Sequence, residues 1–436
     1  RDRATRKALR TRLTVSTTRR RWLVGAAAVT GSALLPACAA RTGRPRVVVI
    51  GGGFAGASCA RTLRSTAPET MVTLIEPKKT YTACPFSNLV LSGDRELTEQ
   101  QFNYDSLQSL GIDLLPTRAV DVDPAKRQVR TADGGVISYD RLIMAPGIAI
   151  DWQALPGYDE QAAGSLPHAW QAGAQTTLLR DRLMSMPDGG LVVISVPEAP
   201  YRCPPGPYER ASLIASYFKR TKPRAKILIL DAQDSFSKKP LFLQGWSEIY
   251  GSMIEWQGAS DGARVVAVDP STRALQTDFD TITADVANVI PPQRAGQIAA
   301  RAGVADESGW CPIDPLTFES RLQADIHVIG DAAIANAMPK SAFAANAQAR
   351  LCAIQVARLL RGERPTATKL INTCYSLISP DYGISVAGVY RPTPDIWSEV
   401  EGAGGISDLD APMTTRRLEA GYARQWYANL TNQVFG

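Results

Sequence analysis

The chain has 436 residues, 45% of them hydrophobic and 21% charged, enough apolar material for a large core and two or three domains. The formal net charge of +6 does not argue for nucleic acid, because nine basic residues and one acid fall within residues 1–40, leaving −2 on the rest. No basic patch with interleaved aromatics accompanies that charge.

The first segment, "TRRRWLVGAAAVTGSALLPACAA", sets the twin arginines Arg19 and Arg20 ahead of Trp22 and Leu23, the pattern of a twin-arginine export signal. Its apolar run, Leu23 to Leu35, has 13 residues, short of the about 20 that a spanning helix needs. Ala37-Cys38-Ala39 has the small-x-small form expected before cleavage after Ala39 or Ala40, and "LPAC" resembles a lipobox that would make Cys38 carry lipid. The expectation is a periplasmic protein, exported folded with its cofactor, in a compartment that permits disulfides.

"PRVVVIGGGFAGASCARTLRSTAPETMVTLIEP" then reads strand, glycine turn, helix, strand. Gly51, Gly53 and Gly56 give the G-x-G-x-x-G spacing directly after the strand Val47–Ile50, and Glu76 closes the next strand 25 residues on. Glycines there let the backbone approach a pyrophosphate at a helix N-terminus, and the carboxylate can bind ribose hydroxyls. "YDRLIMAPG" is a buried strand ending in a Pro146-Gly147 turn, and "ADIHVIGDAA" is another with Asp331 directly after glycine. The three motifs in this order resemble flavoproteins with two dinucleotide-binding domains, a resemblance that implies FAD, with Asp331 on its ribitol and pyrophosphate region.

"LVVISV" and "KILILD" reproduce the strands of a second dinucleotide-binding unit, but the turn between them, "PEAPYRCPPGPYERA", carries Pro200, Pro204, Pro205 and Pro207 in place of paired glycines. Proline has no N–H to offer a phosphate, and side chains block backbone approach. The unit is expected to bind no NAD(P)H, with Cys203 in the vacated space. "ARLLRG" reads as a helix ending at Gly362, and the remainder from about Arg364 is less regular, with "NTCYSLISPDYGISVAGVY" reading as strands and helix signals in the tail that ends "GYARQWYANL".

Of seven cysteines, Cys59 and Cys352 sit in helical patterns as core residues, Cys311 has no evident role, and Cys84, Cys203 and Cys374 lie in turn or loop contexts open to chemistry. With only His168 and His327, the latter in an apolar strand, and no C-x-x-C, C-x-x-C-H or G-x-S-x-G, neither a metal site, an attached haem nor a serine hydrolase is expected.

"YTACPFSN", "YRCPPGPYERAS", "IPPQRAG", "GWCPID", "FES", "IHVIGDAAIANAMPKS", "NTCYS" and "YGISVA" together resemble the flavoprotein subunit of flavocytochrome c sulfide dehydrogenase, over nearly all of the chain after the leader. The resemblance implies an α/β fold of two Rossmann-like domains in a glutathione reductase-like arrangement, plus a smaller C-terminal α+β domain. The limits that follow are signal 1–40, FAD-binding domain 41–156 and 291–364, second domain 157–290, and a cytochrome-interface domain 365–436. It also implies FAD held at Cys84 by an 8α-S-cysteinyl thioether, a redox-active Cys203–Cys374 disulfide over the flavin, Glu209 and Trp426 near it, and Lys340 opening a helix aimed at its pyrimidine end. Hydrosulfide would attack the disulfide, leaving a persulfide and a thiolate that passes electrons to FAD and on to a haem carried by a partner cytochrome c in a heterodimer. The rival expectations are a sulfide:quinone oxidoreductase, which needs a membrane-binding segment, and a catalytically silent flavin-binding subunit.

Overall fold

The computed structural model describes residues 43–436. The export signal, with Arg19, Arg20 and Cys38, lies outside the described residues.

The first sheet is built from Arg46–Ile50 (β1), Met71–Ile75 (β2), Asp113–Leu115 (β3) and Arg141–Met144 (β4), with Phe54–Thr66 (α1) crossing from β1 to β2. Every pairing is parallel, and Val47, Val48 and Val49 are sealed from solvent. That burial on both faces is why β1 reads as an unbroken apolar run. Two short elements after β2 matter for the site: Tyr81–Thr82 leads into Ser87–Ser92 (α2), whose N-cap Phe86 is left-handed at φ 67°.

A second parallel sheet follows, formed by Leu191–Val196 (β5), Lys226–Asp231 (β6), Ile254–Gln257 (β7) and Val286–Val289 (β8) in the order β7-β6-β5-β8. Gly206–Thr221 (α3) links β5 to β6, and Lys239–Tyr250 (α4) links β6 to β7. The chain then returns to the first sheet through Ile326–Val328 (β9), which pairs with β4 and completes the order β9-β4-β1-β2-β3. Ala342–Leu360 (α5) follows, N-capped by the Ser341 hydroxyl accepting from Ala344 N at 3.1 Å and ending at Gly362, φ 71°. These are the two Rossmann-like sheets that the sequence pattern anticipates.

The region after Arg364 is more regular than its sequence suggests. Leu370–Ser379 (β10) and Tyr382–Pro392 (β11) form a long antiparallel pair, extended by Trp397–Glu399 (β12) and Gly405–Ile406 (β13), both on β11. The chain closes with a 23-residue helix, Met413–Phe435 (α6), which packs on β11 where Gly383 admits its backbone: a Cβ there would stand 2.4 Å from Ala420 N. At its far end Phe435 stacks on Tyr81 and Phe102, centroids 5.3 and 5.1 Å apart. Burying such a ring contributes roughly 1.5–3 kcal/mol, so α6 ties the C-terminal sheet to the glycine-turn domain. Arg44–Gly436 forms one compact unit. Among the described residues no helix is long and apolar enough to cross a membrane.

Candidate functional site

The glycine turn has a backbone that tolerates little else at two positions. Gly51 sits at φ +98° with its ideal Cβ 2.3 Å from Ala145 O, and a Cβ on Gly56 would lie 1.8 Å from Gly51 O. Gly53 is different: an added Cβ would meet nothing nearer than Tyr81 at 3.4 Å, so the protein's own packing leaves that space open. Glu76 sits at the turn, where one carboxylate oxygen accepts from Gly52 N at 2.8 Å and the other from Lys78 N at 2.9 Å.

From this turn a cavity of about 350 Å³ runs past Gly147 and Asp331 to Cys84, Cys203, Glu209, Cys374 and Trp426. Its walls therefore come from the connections of both parallel sheets, from the C-terminal sheet and from α6. Of the residues singled out in the sequence, Gly51, Gly53 and Glu76 also line it, whereas Gly56 lies behind the turn, holding α1 against Gly51. Asp331 Oδ1 and Trp426 Nε1 are buried without a hydrogen-bond partner, and both residues line the cavity. Unpartnered buried polar atoms are costly in a finished fold. The open glycine cradle and these two orphaned atoms, one of them on the aspartate after β9, fit a dinucleotide with polar groups along its length.

Lys340 departs from expectation. Helix α5 is opened by Ser341, and the Lys340 ammonium turns away to Asp331 O (2.7 Å), Ala333 O (3.0 Å) and the face of Trp310, 3.8 Å from the ring centroid. Burial lowers its pKa to about 8. The side chain thus lines a separate cavity with Trp310, Tyr201, Phe236 and Met338, while its carbonyl accepts from Cys203 N at 2.7 Å.

Cys203 and Cys374 face the same cavity as free thiols, not as a closed disulfide. Cys203 holds a left-handed backbone, φ 59°, uncommon for a residue with a Cβ and typical of positions over-determined by a functional site. Burial pushes the Cys203 thiol far above its ordinary value, with Cys374 and Glu209 adding to the rise and Arg202 and Lys238 opposing it. Cys374 is raised by burial too, opposed by Lys238. Neither cysteine is therefore a ready thiolate in the dithiol form. Glu209, on α3, bridges the elements: it accepts from Leu377 N at 3.0 Å and from Asn88 Nδ2 at 2.9 Å, and burial raises its pKa.

The other candidates resolve as structural. His327 is fully buried with Nδ1 2.9 Å from Thr317 O, and burial lowers both it and His168 to about 4, so both imidazoles are neutral. Cys59 and Cys352 are buried where α1 meets α5, close enough that Cys59 helps raise the Cys352 thiol after burial itself. Cys311 is a core residue, raised by burial to about 12. Among the described residues no three His, Cys, Asp or Glu side chains are grouped to hold a metal ion.

Sequence reading also missed how the second sheet disposes of its own acid. Asp231, at the end of β6 where a ribose-binding carboxylate would sit, is fully buried and accepts from Tyr208 OH (2.5 Å) and Trp256 Nε1 (3.0 Å). Phe236 stacks on Tyr208 with centroids 3.5 Å apart. Protein aromatics occupy the acid that a nicotinamide nucleotide would need.

Three family descriptions match the chain: "Sulfide dehydrogenase [flavocytochrome c] flavoprotein chain, central" over residues 176–291, "Flavocytochrome c sulphide dehydrogenase, flavin-binding" over 366–435, and "Pyridine nucleotide-disulphide oxidoreductase" over 45–184. A sulfide dehydrogenase [flavocytochrome c] flavoprotein chain from Chlorobaculum thiosulfatiphilum is 58% identical over 48 residues, 11% of this chain and 100% of that sequence. The mitochondrial sulfide:quinone oxidoreductase of Mus musculus is 24% identical over 348 residues, 76% of this chain and 74% of the relative. Among solved structures, the sulfide:quinone oxidoreductase of Aquifex aeolicus shares the fold at a TM-score of 0.69 and 17% identity, covering 90% of this chain and 92% of that one.

Proposed function

Because the chain belongs to the family of flavocytochrome c sulfide dehydrogenase flavoprotein chains, sulfide-oxidising proteins that bind FAD, we propose that it oxidises sulfide at the Cys203–Cys374 pair and passes the electrons to a c-type cytochrome subunit. The single observation that carries this reading is the meeting of Cys84, Cys203 and Cys374 in one cavity with the glycine turn.

Gly51, Gly53, Glu76 and Asp331 would hold the dinucleotide and Cys84 would anchor the flavin covalently. When bound, FAD supplies a two-electron acceptor for the dithiol and a one-electron outlet toward a haem. The protein supplies the rest. Because burial keeps both thiols protonated in the dithiol form, the pair serves as an electrophile when oxidised and the nucleophile comes from the substrate. Hydrosulfide is largely an anion near neutral pH and attacks a disulfide sulfur as a thiolate does. Glu209, raised by burial and hydrogen-bonded across α2, α3 and β10, places a carboxyl group beside the two sulfurs. Zero-valent or polymeric sulfur is the product. Periplasmic location, through the leader's twin arginines, is part of the same proposal.

Sulfide:quinone oxidoreductase is the second reading, favoured by exposed apolar side chains on α6, among them Met413, Leu418 and Tyr422. A cytochrome would equally cover such a face. One anaerobic assay separates the acceptors: with sulfide as donor, a c-type cytochrome should be reduced catalytically and a soluble ubiquinone analogue should not, and quinone turnover as fast as cytochrome turnover would reverse the assignment. Without sulfide, NADH and NADPH should leave the flavin oxidised, because prolines replace the phosphate turn and Asp231 is sequestered; bleaching as fast as that by sulfide would overturn this.

A further inference from the structure

Lys238 is a lysine placed where one is seldom found. It is 5% exposed, and among the described residues no carboxylate forms an ion pair with it. A buried lysine is kept only where other groups offset its desolvation, and here Glu209 interacts with it electrostatically without forming an ion pair. Its backbone is left-handed, φ 65°, at the N-cap of α4, a second uncommon conformation beside that of Cys203. The side chain reaches from α4 to β10, donating to Ser376 Oγ at 2.9 Å and Cys374 O at 3.3 Å. Residues 374 and 376 share one face of the strand, so the Lys238 amine lies on the face of β10 that carries the Cys374 side chain.

The chemistry proposed above creates a need for such a cation. When hydrosulfide attacks Cys203, a sulfur–sulfur bond forms between the incoming sulfur and Cys203 Sγ, and the Cys203–Cys374 bond breaks. The electron pair of the broken bond goes to Cys374 Sγ as a thiolate, and the proton of hydrosulfide stays on the terminal persulfide sulfur. Exchange slows as the leaving thiol's pKa rises, and burial raises that of Cys374.

We propose that Lys238 is a positioning residue for this reaction: the cation that makes Cys374 the leaving thiolate and so directs hydrosulfide to Cys203. The direction of attack rests on the disulfide reading; the cation's effect on Cys374 does not. The charged and titratable groups facing Cys374 are few: Lys238 at the start of α4, Glu209 on α3, Cys203 in the proline loop, and Tyr390 on β11. Of these Lys238 alone is cationic. Arg202 and Arg210 are cations on the Cys203 side of the pair, and Lys238 acts on Cys203 as well as on Cys374.

The test needs no sulfide. The full-length holoenzyme, reduced with dithiothreitol and then freed of it, is alkylated with iodoacetamide from pH 6 to 11, and labelling of each cysteine is followed by peptide mass spectrometry. In the wild-type protein Cys374 should label at lower pH than Cys203. In Lys238→Met the Cys374 midpoint should rise by about one pH unit or more, the scale on which a neighbouring charge acts, and Lys238→Arg should restore most of the shift. A purely structural lysine predicts faster labelling of Cys374 as the strand loosens, with no rise in midpoint. That result, or wild-type labelling in which Cys203 precedes Cys374, overturns the proposal. If Lys238→Met does not fold, the wild-type order of the two cysteines still decides. Failure here leaves sulfide-driven flavin reduction untouched, so it is distinguishable from failure of the disulfide reading.

Discussion

Cys203→Ser and Cys374→Ser proteins are expected to stay folded and yellow while sulfide-dependent flavin reduction falls roughly 10³-fold or more, the loss seen when one member of a group acting as a unit is removed. The two cysteines line the cavity but form none of the glycine-turn contacts, since Gly51, Glu76 and Asp331 come from the first sheet and its connections. Dithionite, which needs no persulfide, should reduce both variants at the wild-type rate. A structural staple would behave otherwise. Closing a loop across the 171 residues between positions 203 and 374 is worth about 5 kcal/mol in the chain-entropy account, so that role predicts a lowered melting temperature with sulfide reduction nearly intact. Stopped-flow reduction beside a thermal melt of each variant separates the two roles, and near-wild-type rates in both variants would remove the cysteines from the chemistry.

Cys84→Ala should release its flavin on acid precipitation, whereas the wild-type flavin should remain with the protein pellet. Cys84 is held between Ala83, whose N–H donates to Gln100 O at 2.8 Å, and Pro85, whose carbonyl accepts from Gln100 Nε2 at 2.5 Å. Phe86, two residues on, stacks on Tyr427 of α6 with centroids 4.7 Å apart. A thiol placed this firmly in the cavity wall suits a permanent bond more than a moving redox partner. Retention of flavin by both proteins would free Cys84 of this role. Because Gly51, Glu76 and Asp331 are untouched, the variant should still bind FAD reversibly, with absorbance lost on dilution.

What could be read from the sequence follows from range. The glycine turn is legible because the close approaches at Gly51 and Gly56 lie within one strand-turn-helix unit, where spacing encodes geometry. The prolines between "LVVISV" and "KILILD" announce the loss of a phosphate loop for the same reason. Lys238 gives no such signal: it is one of two adjacent lysines, and its neighbour Lys239 is instead set over the Trp256 ring. Only the packing of α4 on β10, more than a hundred residues apart in the chain, turns one of them toward Cys374. Asp231 is similar, because its position at a strand end suggests a ribose ligand until Tyr208 and Trp256 are seen to cap it. Lys340 misled by proximity, since the residue before a helix N-cap need not point along the helix. The strands in "NTCYSLISPDYGISVAGVY" are legible, but their length and pairing are not, because β10 and β11 mix buried and half-buried positions without clean alternation.

The most direct test of the account is a rapid-quench experiment under anaerobic conditions, with one equivalent of sulfide added to the oxidised holoenzyme and iodoacetamide in the quench. The account predicts that a persulfide on the Cys203 peptide and a free, alkylated thiol at Cys374 appear before the flavin bleaches, and that both decline as the pair's two electrons pass to the flavin and the cysteines rejoin through the added sulfur. Bleaching at full speed with the two cysteines still joined and neither carrying an added sulfur would contradict it.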